Sequence, residues 1–121
     1  MDDDIDVLVV EDDDDLRTSW REILRDAGWQ VEEACDGLTA LEFLRSIPIG
    51  AVVLDISLPL LDGFGLLDQL ERPPPVLLVT GHIYDSEVME RRDKVLFYLQ
   101  KPVQPPELLW AVARAIATGQ S

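Results

Sequence analysis

The chain of 121 residues is long enough for one domain with a buried core, because 47% of its residues are hydrophobic. Its net charge of −14 argues against direct nucleic-acid binding, since the phosphates would be repelled. The apolar runs are strand-sized, the start is acidic, and Cys35 is the single cysteine, so we expect a cytoplasmic protein without membrane spans or intrachain disulfides.

The first half of the chain predicts three strands, each followed by a helix. Residues 5–10 form a continuous apolar run, which is typical of a buried strand. Behind an acidic cap at residues 13–15, apolar residues recur at helical spacing, with Trp20 on the core face, until Gly28 ends the helix. The remaining elements of this half are a strand over 29–34, a helix from Leu38 to Ile47-Pro48, a strand over 51–54 and a short helix over 64–70.

Three consecutive prolines at 73–75 end the third helix, because proline lacks an N–H donor and restricts the residue before it. A strand is predicted over 76–79. The polar stretch 85–92 predicts a fourth helix with few apolar residues, which we expect to be mobile or irregular. Two further elements complete the chain: a strand over 95–99, and a helix that opens at Pro105-Pro106 and closes at Gly119.

Strand and helix alternate five times, which predicts an α/β fold with a parallel sheet covered on both faces. Right-handed crossovers and short connections favour the doubly wound, flavodoxin-like strand order 2-1-3-4-5, flanked by five helices. In such sheets ligands bind outside the carboxyl ends of the strands, near the switch point between the first and third strands. Candidate functional residues are therefore those that follow the strands.

Polar side chains stand at these strand ends. The first strand is followed by Glu11 and Asp12, and the apolar run of the third strand breaks at Asp55. The fourth strand ends at Thr80, and the fifth leads into Lys101. Three converging carboxylates would repel one another without a cation, and a site with only oxygen ligands suits Mg²⁺.

Four segments in order resemble the receiver domain of two-component response regulators, over essentially the whole of residues 1–121. "VLVVEDD" is similar to the first strand of that family with its acidic pair, and "VVLDISLPLLDG" to its phosphoacceptor segment. "LLVTGH" resembles the fourth strand with its hydroxyl residue, and "FYLQKP" the fifth strand with its lysine-proline pair. The combination is more specific than any one of the strings.

The resemblance implies a phosphoacceptor switch. Asp55 would accept a phosphoryl group from a histidine kinase or a histidine phosphotransfer protein. It also implies that Asp12, Asp55 and the backbone carbonyl of Ser57 hold Mg²⁺, with Glu11 reaching the ion through water.

The resemblance further implies an output step. Lys101 would pair with one phosphoryl oxygen and Thr80 would donate a hydrogen bond to another. Tyr98 would then swing into the space behind Thr80 and reshape the face formed by the fourth helix, fifth strand and fifth helix. This face would control a downstream protein target or a fused effector domain, with phosphorylation-linked homodimerisation as a further expectation. Trp110 is predicted on the outer face of the last helix, and a cis peptide bond is implied before Pro102.

Simpler interpretations exist for each residue taken alone. Glu11 and Asp12 would also serve as a solvated helix cap, and Lys101 as a surface lysine over apolar neighbours. A turn-capping role for Asp55 is less favoured, because Asp62 before Gly63 fits that role better.

Two other functions remain open. A Mg²⁺-dependent phosphatase with an aspartate nucleophile would need a second aspartate where Ser57 stands. A degenerate receiver would act only as a protein-binding module. The opening methionine favours a stand-alone regulator over a receiver cut from a longer protein. The short spacing from Asp55 to Thr80, and Lys94-Val95 where the family usually has Gly-Ala, indicate an altered switch geometry.

Overall fold

The structure, a computed structural model, describes residues 4–81 and 86–119. A five-stranded parallel sheet has the order β2-β1-β3-β4-β5, which confirms the predicted topology. The elements are β1 Ile5–Val10, α1 Asp14–Asp26, β2 Val31–Ala34, α2 Gly37–Ser46, β3 Ile49–Asp55, α3 Gly63–Asp68, β4 Val76–Thr80, α4 Ser86–Glu90, a 3-10 helix Arg92–Lys94, β5 Phe97–Gln100 and α5 Pro105–Gly119. Among the described helices, none combines the length and the apolar character needed to cross a membrane.

The sheet separates two apolar cores, because successive side chains of a strand point to opposite faces. Val7 and Val9 of β1 pack with α1 and α5, whereas Leu8 and Val10 pack with α2, α3 and α4. Trp20 lies in the first core, as predicted. Trp110 is 58% exposed on α5, which confirms its predicted outward position.

The strand register gathers the predicted site residues at one rim of the sheet. The last residue of β1 pairs with Leu54, so Glu11 follows at the level of Asp55. Asp55 pairs with Val79, and Thr80 pairs with Gln100. Glu11, Asp55, Thr80 and Lys101 therefore leave neighbouring strands at the same end.

Several element bounds differ from the prediction. β2 begins at Val31 rather than at Trp29, because the chain first turns at Gly28, whose φ is +101°. β3 is longer than residues 51–54 at both ends. β5 covers Phe97–Gln100 rather than 95–99, since the N–H of Val95 donates to Arg92 and closes the 3-10 turn. The short α3 ends at Asp68, ahead of the prolines.

The segment after β4 is irregular, as expected from its polar sequence. α4 has five residues, and a 3-10 helix follows it directly. Arg91 fastens the segment to α3: its guanidinium donates to both oxygens of Asp68 at 2.9 Å and lies 4.6 Å from the Phe64 ring centroid. Asp85, the first residue of the predicted helix, lies outside the described residues. The mobility of the segment stays a prediction.

Candidate functional site

A crevice of about 290 Å³ opens at the carboxyl rim of the sheet. Four of the predicted site residues, Asp55, Ser57, Thr80 and Lys101, line it, and Asp55 and Thr80 are buried. Its full lining is Asp55, Ile56, Ser57, Phe64, Thr80, Gly81, Val88 and Lys101. The structure thus brings residues from three strand ends into one cavity, as the parallel topology requires.

Three carboxylates meet beside this crevice. Glu11, Asp12 and Asp55 each offer an oxygen, and these oxygens lie within 4.8 Å of one another. Glu11 is 1% exposed and Asp55 4%, whereas Asp12 is exposed to solvent. A set of close, oxygen-only ligands with one open side fits a hard divalent cation that retains some of its waters.

Lys101 supplies a positive charge at the same place. Its Nζ lies 3.0 Å from Asp55 Oδ2 and 3.3 Å from Glu11 Oε1. Burial alone would lower the pKa of Lys101, but its hydrogen bond and charge interaction with Asp55, assisted by Glu11, raise that pKa above its usual value. The backbone N–H of Lys101 donates to the Thr80 carbonyl at 3.0 Å, which holds the lysine beside β4. The peptide bond before Pro102 is cis, as expected.

The environment of Glu11 favours the protonated form of its carboxyl group. Burial, the hydrogen bond with Asp55 and the negative charge of Asp55 raise the pKa of Glu11 from 4.5 to about 7, although the Asp13 N–H donates to it at 3.2 Å. Near neutral pH, therefore, Glu11 is partly protonated when no cation is bound. A divalent cation would favour its charged form.

This pKa predicts that the metal-free protein loses stability as the pH rises. A folded-state pKa above the unfolded value means that the contribution of Glu11 is fully present below pH 4.5 and is lost as the pH rises through about 7. We expect a loss of up to ~3 kcal/mol from this group. Urea unfolding in EDTA at several pH values between about 5 and 8 measures the loss.

In that experiment Glu11→Gln should remove most of the dependence of the free energy of unfolding on pH, because glutamine resembles the protonated side chain. Added Mg²⁺ should restore stability at the alkaline end, since a ligand that binds the folded state stabilises it. A wild-type protein whose stability is flat over this range, or rises with pH, would contradict the assignment of the raised pKa to Glu11.

Asp55 is positioned by its strand and by the turn after it. Its Oδ1 accepts a hydrogen bond from the Ser57 N–H at 3.3 Å, and its Oδ2 faces Lys101. α3 begins close to this strand end: a Cβ added to Gly63 would lie 2.8 Å from the Asp55 carbonyl oxygen. Between them, Leu60 has a φ of +68° and is 75% exposed. Such a conformation is uncommon for a leucine and marks a tight turn in the connection between β3 and α3.

Tyr98 lies on β5, behind the crevice. Its ring packs against the core on the side of α4, which includes Leu78 and Val88. The phenolic oxygen is buried and has no hydrogen-bond partner among the residues that the structure describes. Burial raises the pKa of Tyr98. A buried hydroxyl without a partner is costly, so within the described part of the chain this orientation of the ring leaves one polar group unsatisfied.

The sequence did not point to every residue at the site. Phe64 and Val88 line the crevice but resembled ordinary core positions of short helices. Arg17 on α1 donates to the backbone carbonyl of Glu11 at 2.9 Å. No local pattern reveals this contact, because an arginine in the first turns of a helix is usually a surface residue.

The site and the fold agree with what the comparisons with known proteins find. An NtrX-like response regulator of Rickettsia bellii is 34% identical over 117 residues, which cover 92% of this chain and 24% of that protein. The chain spans less than half the length of the curated relatives it matches.

Two solved structures superpose closely. The CheY-like response regulator receiver domain protein from Methanospirillum hungatei JF-1 has a TM-score of 0.87 and 26% identity, with 97% of each chain covered. The receiver domain of sensor histidine kinase PA1611 from Pseudomonas aeruginosa, which has a magnesium ion coordinated in its active-site cleft, has a TM-score of 0.81 and 26% identity. That match covers 94% of this chain and 98% of the other. Residues 7–113 match the family model of the response regulator receiver domain, so the chain belongs to that family.

Proposed function

We propose that this protein is a Mg²⁺-dependent signalling switch that is phosphorylated on Asp55. The observation that carries the proposal is the meeting of Asp55 with Lys101 and with the carboxylates of Glu11 and Asp12 at one crevice. A lone buried aspartate would be unfavourable, whereas one next to an ammonium group and a cation site is suited to receive a phosphoryl group. The donor would be a histidine kinase or a histidine phosphotransfer protein, which acts on this chain in the cytoplasm.

In the transfer step, a carboxylate oxygen of Asp55 would form a bond to phosphorus while the phosphorus–nitrogen bond of a donor phosphohistidine breaks. The imidazole leaves with the electron pair of that bond and takes up a proton, and Asp55 becomes an acyl phosphate. Lys101 would turn its ammonium from the free carboxylate to a phosphoryl oxygen. Thr80, at 7% exposure, would donate to another phosphoryl oxygen from the crevice wall.

Asp12, Asp55 and the backbone carbonyl of Ser57 would hold Mg²⁺, with Glu11 contributing through water. The ion supplies neutralisation of the charge that develops on the phosphoryl oxygens. Burial would keep the side chains of Glu11 and Asp55 in place during the reaction. Because Asp12 is exposed, the ion would reach the site from solvent on that side. The donor set fits this ion, because its ligands are oxygens only.

The output would follow from movement at Thr80 and Tyr98. Among the described residues the Tyr98 hydroxyl has no hydrogen-bond partner in its present position, so a rotation that gives it one would be favourable. Phosphorylation would shift the population of two states that differ at the surface of α4, β5 and α5. That surface would control a downstream protein target or a fused effector domain, or a phosphorylation-linked homodimer, and Trp110 stands exposed on it.

A small acyl phosphate donor with Mg²⁺ tests the proposal. We expect mass spectrometry to show a stable gain of one phosphoryl group per chain, with no gain in EDTA. Release of many phosphates per chain would support the alternative of a phosphatase, which would need a general acid where the exposed Ser57 lies. No gain and no release would support a degenerate receiver that acts only by binding.

A further inference from the structure

Arg17 donates hydrogen bonds to three different residues beside the carboxylate cluster. Its Nη1 donates to the backbone carbonyl of Glu11 at 2.9 Å, and its Nε donates to Glu33 Oε1 at 3.1 Å. Its Nη2 donates to Asp14 Oδ1 at 2.6 Å. The side chain is 15% exposed, although it belongs to the second turn of a surface helix. All three nitrogens of the guanidinium group are thereby engaged in a fixed orientation.

The bond to the Glu11 carbonyl acts on the peptide unit that leads into Asp12. Two other contacts fix the chain on either side: the Glu11 N–H donates to Ala34 at 3.1 Å, and Asp13 caps α1 by accepting from Leu16 at 3.0 Å. Asp12, between these anchors, is exposed, and its carboxylate lies within 4.8 Å of those of Glu11 and Asp55. The backbone around Asp12 decides where this exposed carboxylate points, and Arg17 holds the carbonyl that precedes it.

We propose that Arg17 is a positioning residue that aims Asp12 at the cation, a role that presupposes the Mg²⁺-dependent function proposed for this crevice. Arg17 touches the backbone of Glu11 rather than its carboxylate, so its part is to orient ligands and not to bind the phosphoryl group. Groups that orient ligands typically change metal affinity ten- to a hundredfold when removed.

Arg21 provides a matched control on the same helix. It donates to the other oxygen of Glu33 at 2.7 Å and is similarly half-buried, but the bond to Glu11 is made by Arg17. If Arg17 mattered only as an ion pair that fastens α1 to β2, replacing Arg21 would have the same consequences. If it acts on the Asp12 peptide, only the replacement of Arg17 would alter the cation site.

The test compares Arg17→Met and Arg21→Met with the wild type. Calorimetry with Mg²⁺ measures binding directly, and initial phosphorylation rates over a range of Mg²⁺ concentrations give the half-saturating concentration and the saturating rate. We expect Arg17→Met to weaken Mg²⁺ binding about tenfold, to raise the half-saturating concentration by a similar factor, and to leave the saturating rate within about twofold. Arg21→Met should leave all three unchanged.

Urea unfolding in EDTA accompanies these measurements, because both variants lose an ion pair to Glu33 and Arg17→Met also loses its bonds to Asp14 and to the Glu11 carbonyl. Arg17→Lys keeps the charge but cannot engage three acceptors in a fork, so we expect intermediate Mg²⁺ affinity even if Arg17→Met folds poorly. Wild-type affinity in both Arg17 variants, or an equal loss in Arg21→Met, would overturn the positioning role. A wild-type protein that neither binds Mg²⁺ nor accepts phosphate would overturn the proposed function itself.

Discussion

Replacing Asp55 by asparagine should abolish phosphorylation by a small acyl phosphate. Asparagine keeps the size of the side chain and an oxygen that can accept from the Ser57 N–H, but its amide is a poor nucleophile and weakens the cation site. The fold should survive, because the change removes one of two buried, like-charged carboxylates while Lys101 retains Glu11 as a partner. Intact-mass measurement should show no phosphoryl gain at any Mg²⁺ concentration.

Asp62→Asn is the matched control for this prediction. Asp62 is a second aspartate in the same connection, and it caps α3 by accepting from the Gly65 N–H at 2.7 Å. Asparagine caps helices about as well as aspartate, so this variant should be phosphorylated as the wild type is. A phosphoryl group on the Asp55→Asn protein would place the acceptor elsewhere and refute the central assignment.

The second large effect is expected at Lys101. Lys101→Met removes the ammonium group that lies within 3.3 Å of both buried carboxylates but keeps a long apolar stem. We expect the phosphorylation rate at saturating Mg²⁺ to fall about a hundredfold, the typical cost of losing one charged or hydrogen-bonding group that faces developing negative charge. Rapid-quench or mass-spectrometric time courses measure this rate.

The chain offers one other lysine as a control. Lys94 donates from Nζ to the Leu67 carbonyl at 2.9 Å, away from the crevice lining, so Lys94→Met should leave the rate within about twofold. Lys101→Arg should recover part of the loss, since it restores charge with a different shape. Equal rates for Lys101→Met and the wild type would show that the contact with Asp55 is structural only.

The sequence predicted the fold and the rim of the site for a simple physical reason. A continuous apolar run indicates a strand that is buried on both faces. The polar residue that follows each such strand must then lie at the rim of the sheet. The position of Glu11, Asp55, Thr80 and Lys101 at one rim of the sheet was therefore predictable from the sequence alone. Their distances and the raised pKa of Glu11 were not, because both depend on side-chain packing.

The exact ends of strands and helices, and side-chain contacts between residues far apart in the chain, were not predicted from the sequence. Val95 looked like the start of a strand, yet its N–H donates within a 3-10 turn, and local apolar content does not distinguish the two cases. The role of Arg17 depends on Glu33, which is sixteen positions away in the chain on a different element. A partner at that separation leaves no periodic pattern, so only the folded chain reveals it.

The fork between Arg91 and Asp68 has a consequence for signalling. Arg91 also stacks on Phe64, and Phe64 forms part of the crevice wall. The same guanidinium group donates to the Glu87 carbonyl of α4, so one side chain joins α4 to α3 and to the crevice wall. A protein that binds α4 from outside would shift the conformation of the crevice wall and so change the affinity of the crevice for phosphate. By thermodynamic linkage, phosphate in the crevice would change the affinity for that protein by the same factor.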